Sequence, residues 1–201
     1  MASIELKSLT KKFGDIFAVN NQNLIVNKGE LLVLLGPSGC GKTTTLNCIA
    51  GLEIPTSGKI LFNDIDVTYN SPHSRNIAMV FQSALLYPHL NCEQNILMSL
   101  HKTDINNSEK NKRVIEATEM LNITNLLNKK PHELSGGERQ RVATAKAIVR
   151  QPEVFLLDEP MAALDAALRQ SLRSELVNLQ KKLNTTTIYV THDQVEAMTM
   201  G

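Results

Sequence analysis

Short apolar runs recur along the chain: LLVLL at 31–35, IAMV at 77–80, VFLL at 154–157 and TIYV at 187–190. Strands that are apolar on both faces suit a parallel sheet covered on both sides. Two stretches carry helical spacing. KTTTLNCIA at 42–50 follows a glycine-rich loop, and residues 165–183 alternate apolar and charged positions at close to the helical period. The early chain has a different rhythm, since IELKSLTKKF, FAVNNQNLIV and GKILFNDIDV alternate apolar and polar residues and are punctuated by Gly14, Gly29 and Gly58. That alternation predicts an antiparallel β layer. Between about Leu90 and Pro131 the strand signals vanish, and Ser108 is the expected cap of a helix whose Val114, Ala117, Thr118 and Leu121 share one face. The expected fold class is α/β: a mostly parallel core sheet, an N-terminal antiparallel β layer and an inserted α-helical subdomain ahead of the LSGGE segment at 134–138.

Bulk properties narrow the function classes. A chain of 201 residues suits one well-packed core with a small attached subdomain. Its 42% hydrophobic and 20% charged residues balance to a net charge of +1, which offers no basic field for gripping nucleic acid. Cys40, Cys48 and Cys92 are odd in number and lack C-x-x-C spacing, so neither a disulfide framework nor a zinc site is indicated, and a reducing cytosol is the expected setting. MASIELKSLTKKFGD carries charge from Glu5 onward with no apolar run, unlike a signal peptide. No stretch approaches the length of a membrane span, so membrane association is expected only through a partner.

The strongest chemistry lies in Gly36-Pro37-Ser38-Gly39-Cys40-Gly41-Lys42-Thr43, which matches G-x-x-x-x-G-K-[ST] between an apolar strand and a helix pattern. In such a P-loop the glycines let backbone N–H groups turn inward around phosphate oxygens, and the helix N-terminus adds partial positive charge. Lys42 is placed to neutralise the β- and γ-phosphates and Thr43 to offer its hydroxyl to Mg²⁺. VFLLDEP at 154–160 puts two carboxylates where an apolar strand ends. Alone this is as readily an ordinary strand end; beside a P-loop, Asp158 can hold Mg²⁺ and Glu159 can polarise an attacking water. His192, one residue beyond TIYV, and Gln82, just after IAMVF, are unremarkable alone, but both fall where ligand crevices form in open α/β sheets. LSGGERQR at 134–141 sets a serine and two glycines ahead of a glutamate, a second segment suited to presenting backbone N–H groups to an anion.

Taken together, these motifs resemble the nucleotide-binding subunits of ATP-binding cassette (ABC) transporters, from Ile4 to Met200. The resemblance implies a P-loop NTPase with a RecA-like core over about 1–89 and 150–201 and a helical subdomain over about 90–149. It implies that Phe13 stacks on adenine, where the alternative is a buried core aromatic, and that 36–43 together with Thr44 bind the phosphates. Gln82 resembles the Q-loop glutamine that contacts Mg²⁺ or the lytic water. Ser135, Gly136, Gly137 and Glu138 resemble the signature motif, which contacts ATP held by another chain. Asp165 resembles the D-loop aspartate at the dimer interface, and His192 the switch histidine that touches the γ-phosphate. Catalysis is thereby assigned to Glu159 as general base with His192, Gln82 and Lys42. GPSGCGKTT, NIAMVFQ, YPHL, LDAALR and YVTHDQVEAMTM are most similar to importer ATPases for maltooligosaccharides, sn-glycerol-3-phosphate and multiple sugars, with polyamine and iron importers sharing much of the wording.

The implied partners are a second ABC ATPase subunit, expected as a homodimer, transmembrane permease subunits and, indirectly, a solute-binding protein. The implied location is the inner face of the cell membrane. Several departures bear on this. Glu138 stands where the signature usually has Gln, Ala162 and Ala163 replace Ser and Asn, and Asn76 after Arg75 stands where many relatives have Asp. Related importers continue with further core strands and a regulatory β domain, so the chain is expected to be a C-terminally truncated cassette. A non-transport ABC ATPase and a catalytically impaired ATP-binding subunit remain as alternatives.

Overall fold

Alternating residues at the start of the chain form an antiparallel ribbon, β1 (Ile4–Phe13) against β2 (Ile16–Val26), closed by a two-residue turn in which Gly14 has φ +58°. The computed structural model describes residues 1–162 and 164–200; Ala163, one of the departures, lies outside them. Ile4, Leu6 and Leu9 of β1 are all buried, which strict alternation forbids. A register shift between Leu6 and Leu9, with Ser8 in the left-handed region at φ 49°, turns Leu9 back to the core. Gly58 makes this possible from the adjacent strand β4 (Ser57–Phe62): a Cβ there would strike the Ser8 carbonyl. β4 continues into a short strand β5 (Ile65–Asp66) through Asn63 and Asp64, both with positive φ, so the GKILFNDIDV run is a hairpin rather than one strand. The ribbon sheet has the order β2-β1-β4-β5.

A second sheet, ordered β3-β8-β7-β6, gathers the four apolar runs as β3 (Leu31–Leu35), β6 (Ile77–Val80), β7 (Val154–Asp158) and β8 (Thr186–Thr191). β3 pairs parallel with β8, and β8 parallel with β7. β7 and β8 are buried throughout, as runs apolar on both faces should be, whereas β3, at one edge of this sheet, is partly exposed. Helix α1 (Lys42–Ala50) buries Leu46, Cys48 and Ile49 in one cluster with β1 residues Ile4 and Leu6 and with Leu156 and Ile188 of β7 and β8.

The chain divides into two units, residues 1–79, 152–159 and 180–201, and residues 80–151 and 160–179. The second unit is helical. It holds α2 (Cys92–Met98), α3 (Asn107–Met120), α4 (Gly136–Ile148) and most of α5 (Ala166–Leu183); α6 (Gln194–Met200) belongs to the first. In α3 the face of Val114, Ala117, Thr118 and Leu121 is buried as expected. Its cap is Asn106 rather than Ser108: the Asn106 side chain accepts a hydrogen bond from the Glu109 N–H at 2.8 Å, and Ser108 lies inside the first turn.

The C-terminus of α1 is closed by Arg75, which is only 4% exposed. Its guanidinium donates to the carbonyls of Cys48 (2.8 Å), Ile49 (2.7 Å), Thr68 (3.0 Å) and Asn70 (3.0 Å). Burial lowers the Arg75 pKa. A fork of five donors satisfies the carbonyls that every helix end leaves over. Gly51, in the left-handed region just beyond the helix, lets the guanidinium pass, since a Cβ there would sit 2.7 Å from Arg75 Nε. Arg75→Met should therefore destabilise the protein by about 2–4 kcal/mol, because several buried carbonyls lose their donor at once. The midpoint of urea unfolding measures this.

Candidate nucleotide site

The loop from Gly36 to Gly41 connects β3 to α1, and its tip, Pro37 to Cys40, is exposed. Gly39 and Gly41 have φ of 82° and 94°, a region that side-chain-bearing residues avoid. At Gly41 a Cβ would penetrate the Ala18 carbonyl of β2, so the last glycine is fixed both by its dihedral and by the neighbouring ribbon. At Gly36 a Cβ would meet Cys40 Sγ at 2.7 Å. α1 opens without an acidic first turn or a side-chain cap, so the N–H groups of Lys42, Thr43 and Thr44 are left by position to an outside acceptor. Thr45 anchors the first turn from within, donating to the Gln22 side chain (2.9 Å) and to the Gly41 carbonyl (3.0 Å). The Lys42 ammonium folds back across the loop and donates to the carbonyls of Gly36 (2.6 Å) and Pro37 (2.9 Å). It is thus held at the centre of the loop curve, where an anion would replace carbonyl partners. Such a cradle fits a chain of phosphates.

The carboxylates arrive on the neighbouring strands. Parallel register sets Leu35 opposite Thr191 and Asp158 opposite Val190, so the C-terminal ends of β3, β7 and β8 form one row. The Thr43 hydroxyl donates to Asp158 Oδ1 at 3.0 Å. Burial raises the Asp158 pKa; the Thr43 hydrogen bond opposes this, Glu159 adds to it, and Lys42 counters it. Glu159 leaves the strand in the left-handed region, φ 44°, with its N–H donating to the Val190 carbonyl at 3.1 Å. A non-glycine residue in that region carries backbone strain that the surrounding structure has to hold. The turn aims the Glu159 carboxylate at His192, whose Nδ1 lies 2.8 Å from Glu159 Oε2. Because a carboxylate only accepts, Nδ1 carries the proton in this contact and Nε2 is left for another partner.

His192 is held by residues that motif reading passed over. Glu196 of α6 is 6% exposed, and its Oε2 accepts from the hydroxyls of Thr191 (2.6 Å) and Tyr189 (2.9 Å). Thr191 Oγ1 in turn accepts from the Asp193 N–H at 3.0 Å. The residues on either side of His192 are thus tied to one buried carboxylate, and a single sequence carries no spacing that announces it.

Phe13 is half exposed at the end of β1, so the alternative of a buried core aromatic does not hold. Residues 36–43, Asp158, Glu159, His192 and Phe13 all belong to the first unit; Gln82, Ser135 to Glu138 and Asp165 belong to the second. Gln82 is exposed in the bend following β6. The Asp165 carboxylate caps α5 by accepting from the Leu168 N–H at 3.0 Å. Gly136 and Gly137 open α4, and a Cβ on Gly137 would meet Leu168 Cδ2 at 2.5 Å. Ser135 and Glu138 form a reciprocal capping box: Ser135 Oγ accepts from the Glu138 N–H (3.2 Å) and Glu138 Oε2 accepts from the Ser135 N–H (2.7 Å). Among the described residues no group of three or more His, Cys, Asp or Glu side chains could hold a metal. One carboxylate plus one hydroxyl is what a magnesium ion shared with substrate phosphates needs from a protein.

Residues 19–162 match the ABC transporter family. The chain belongs to that family. The cassette is 54% identical to a xylose/arabinose import ATP-binding protein of Haloferax volcanii, over all of this chain and 53% of that protein. It is also 54% identical to a trehalose/maltose import ATP-binding protein of Thermococcus litoralis, over all of this chain and 56% of that protein. The chain spans about half the length of these curated relatives. Among solved structures it superposes on a dimeric post-hydrolysis state of the ATP-binding cassette MJ0796 bound to ADP and Pi, with a TM-score of 0.82 and 34% identity over 96% of this chain and 90% of that one. The two import proteins carry different sugars in their names at equal identity, so identity alone does not select a solute.

The capping box makes a distinct prediction for this cassette. Hydrogen bonds from Ser135 hold the Glu138 carboxyl below its ordinary value of 4.5. A lowered folded-state pKa adds stability that is complete above the unfolded value and is lost as pH falls through the folded one. Glu138→Gln keeps the box but loses the charge at the helix N-terminus, so it should be less stable by about 0.3–1 kcal/mol at neutral pH. That gap should close as pH falls below 4.5. Paired denaturation curves across that range measure it.

Proposed function

We propose that this cassette is the ATP-binding and hydrolysing subunit of an ABC importer, energising uptake of a solute, a sugar or glycerol phosphate. The observation that carries the proposal is the row of strand ends that sets Thr43 against Asp158 at 3.0 Å and Glu159 against His192 at 2.8 Å beside the phosphate loop. The sugar names of the import relatives support the solute class. The names of the import ATP-binding relatives support assigning the energised step to partner permease subunits, with the cassette on the inner face of the membrane; no described helix is long and apolar enough to cross a membrane.

In the proposed reaction, the backbone N–H groups of Ser38 to Thr44 and the Lys42 ammonium bind the β- and γ-phosphates, and Phe13 stacks on adenine. Thr43 and Asp158 are the groups that would hold Mg²⁺, which when bound would neutralise phosphate charge. Glu159 takes the proton of the attacking water, and His192 faces the γ-phosphate with the Nε2 edge of its ring, a hydrogen-bond donation that the imidazolium form supplies. The Glu159 to His192 contact keeps both side chains oriented before substrate arrives. In-line transfer to water makes little covalent demand on the protein, so positioning and charge neutralisation supply most of the rate. Ser135, Gly136 and Gly137 are assigned to the ATP of a second cassette, with Glu138 held in its capping box and Asp165 near the dimer interface. The dimeric form of the MJ0796 cassette supports this arrangement.

Glu159→Gln should leave ATP affinity within about threefold of the parent while lowering turnover by 10² or more, since only proton acceptance is removed. Phosphate release and equilibrium nucleotide binding measured on the same preparations decide this; equal turnover in variant and parent would remove Glu159 from the role of base. The exposed Cys40 thiol stands 3.7 Å from Lys42 Nζ within the loop. A bulky maleimide should therefore block nucleotide binding, and prior ATP should protect the thiol.

A further inference from the structure

The base platform has a second component. Lys11 and Phe13 lie two residues apart on β1, and the Lys11 ammonium sits 4.8 Å from the centre of the Phe13 ring. That ammonium is fixed from two sides: it pairs with Glu53 at 2.8 Å and donates to the Ile54 carbonyl at 2.8 Å. The Lys11 side chain is only 14% exposed, whereas half of Phe13 is open. Glu53 and Ile54 follow directly from the C-terminus of α1, where the Glu53 N–H donates to the Asn47 carbonyl at 3.1 Å. The same helix begins at Lys42 and Thr43. One rigid element therefore ends in the phosphate cradle on one side and in the anchor of Lys11 on the other.

A second cation–ring pair is present on the ribbon, with Lys12 Nζ 4.0 Å from the Phe17 ring. These residues are cross-strand partners. The strand alternation puts this pair on the opposite face from Lys11 and Phe13. What distinguishes the first pair is its attachment, through Glu53 and Ile54, to the helix that carries the phosphate-binding residues.

We infer that Lys11 is a positioning and base-selecting residue of the nucleotide site: it holds the Phe13 ring from behind and leaves the opposite face to the purine. This rests on the assignment of Phe13 to the adenine in the preceding subsection. Two physical effects follow. A ring already restrained by a fixed cation loses little freedom when a base stacks on it, so the surface is preorganised. A cation on one face also draws on the ring's negative quadrupole, which improves stacking of an electron-rich purine on the other face. Neither effect touches the phosphates, so the contribution of Lys11 is confined to ligands that carry a base.

The test compares ATP with inorganic tripolyphosphate, which lacks a base, both with Mg²⁺, by calorimetry or competition on the full chain. Lys11→Met should weaken ATP binding by about 3- to 10-fold, the range of a partly desolvated cation–ring contact, and leave tripolyphosphate within about twofold. Lys11→Arg, which keeps a cation over the ring, should restore ATP affinity. Should Lys11→Met fail to fold, Glu53→Leu, which removes one of the two anchors of the ammonium without removing the ammonium itself, carries the same comparison. Parallel loss of ATP and tripolyphosphate would reduce Lys11 to a structural role and overturn the inference, as would unchanged ATP binding. Phe13→Ala separates the two levels. If it fails to weaken ATP selectively, the assignment of Phe13 itself falls; if it does so while the Lys11 variants do not, only the role of Lys11 falls.

Discussion

The candidate site depends on one close approach, that of Gly41 to the Ala18 carbonyl. Because no Cβ fits there, the loop after β3 can be drawn against the β1–β2 ribbon, and α1 starts at a fixed point with a fixed direction. Everything with phosphate chemistry follows within a few residues. Lys42 folds over the loop, Thr43 reaches Asp158, and Thr45 locks the first turn to Gln22. A side chain at position 41 would move the whole helix start, since the ribbon is itself pinned through Gly58 and the Ser8 bulge and cannot yield easily. The glycine pattern is thus a statement about distance as much as about conformational freedom.

The parallel sheet supplies the second requirement, the convergence of groups far apart in sequence. Strands that run in one direction end on one side, and side chains at those ends gather in a crevice. Asp158 reaches Thr43, and Glu159 meets His192, for that reason. The price is electrostatic. Two adjacent carboxylates at a strand end are partly withdrawn from water, and the raised pKa of Asp158 records that burial. A cation beside Thr43 and Asp158 would reverse the balance, and Lys42 already works in that direction. This is the arrangement expected where a polyanion and a cation bind together, and an unusual one for a site with only a structural role.

The parts of the fold that were legible in the sequence are those with local causes. The phosphate loop, the carboxylate pair and the apolar strands carry their signal in consecutive residues, because dihedral demands and two-sided burial act on each strand or turn directly. The α3 face was legible too, since helical spacing alone generates it. Other features depend on partners distant along the chain. The inward turn of Leu9 requires the bulge at Ser8 and the absence of a Cβ on Gly58. The cap of α3 moved from Ser108 to Asn106 because helix starts vary by a residue or two when several capping residues are adjacent. Arg75 and Glu196 are buried polar residues whose partners are carbonyls and hydroxyls, and neither has a motif. Glu138 is the instructive case: as a sequence departure it reads as misplaced charge, but at the third position of α4 a glutamate completes the capping box as well as a glutamine does.

Helix α1 connects these observations. Its N-terminus is set by Gly41 against the ribbon, and its C-terminus is closed by Arg75, whose donors replace the missing helical partners of Cys48 and Ile49. The turn that follows carries Glu53 and Ile54 to Lys11 beside Phe13. A short helix of nine residues is marginal on its own, so its direction has to be imposed from outside. Here both ends are imposed by polar contacts, while its middle is held by the buried Leu46, Cys48 and Ile49. A helix fixed at both ends keeps the distance between the phosphate cradle and the aromatic platform constant. Under the proposed assignments, a ligand with a base joined to phosphates by a linker of set length would be recognised by that distance, whereas a phosphate alone would be recognised by the loop.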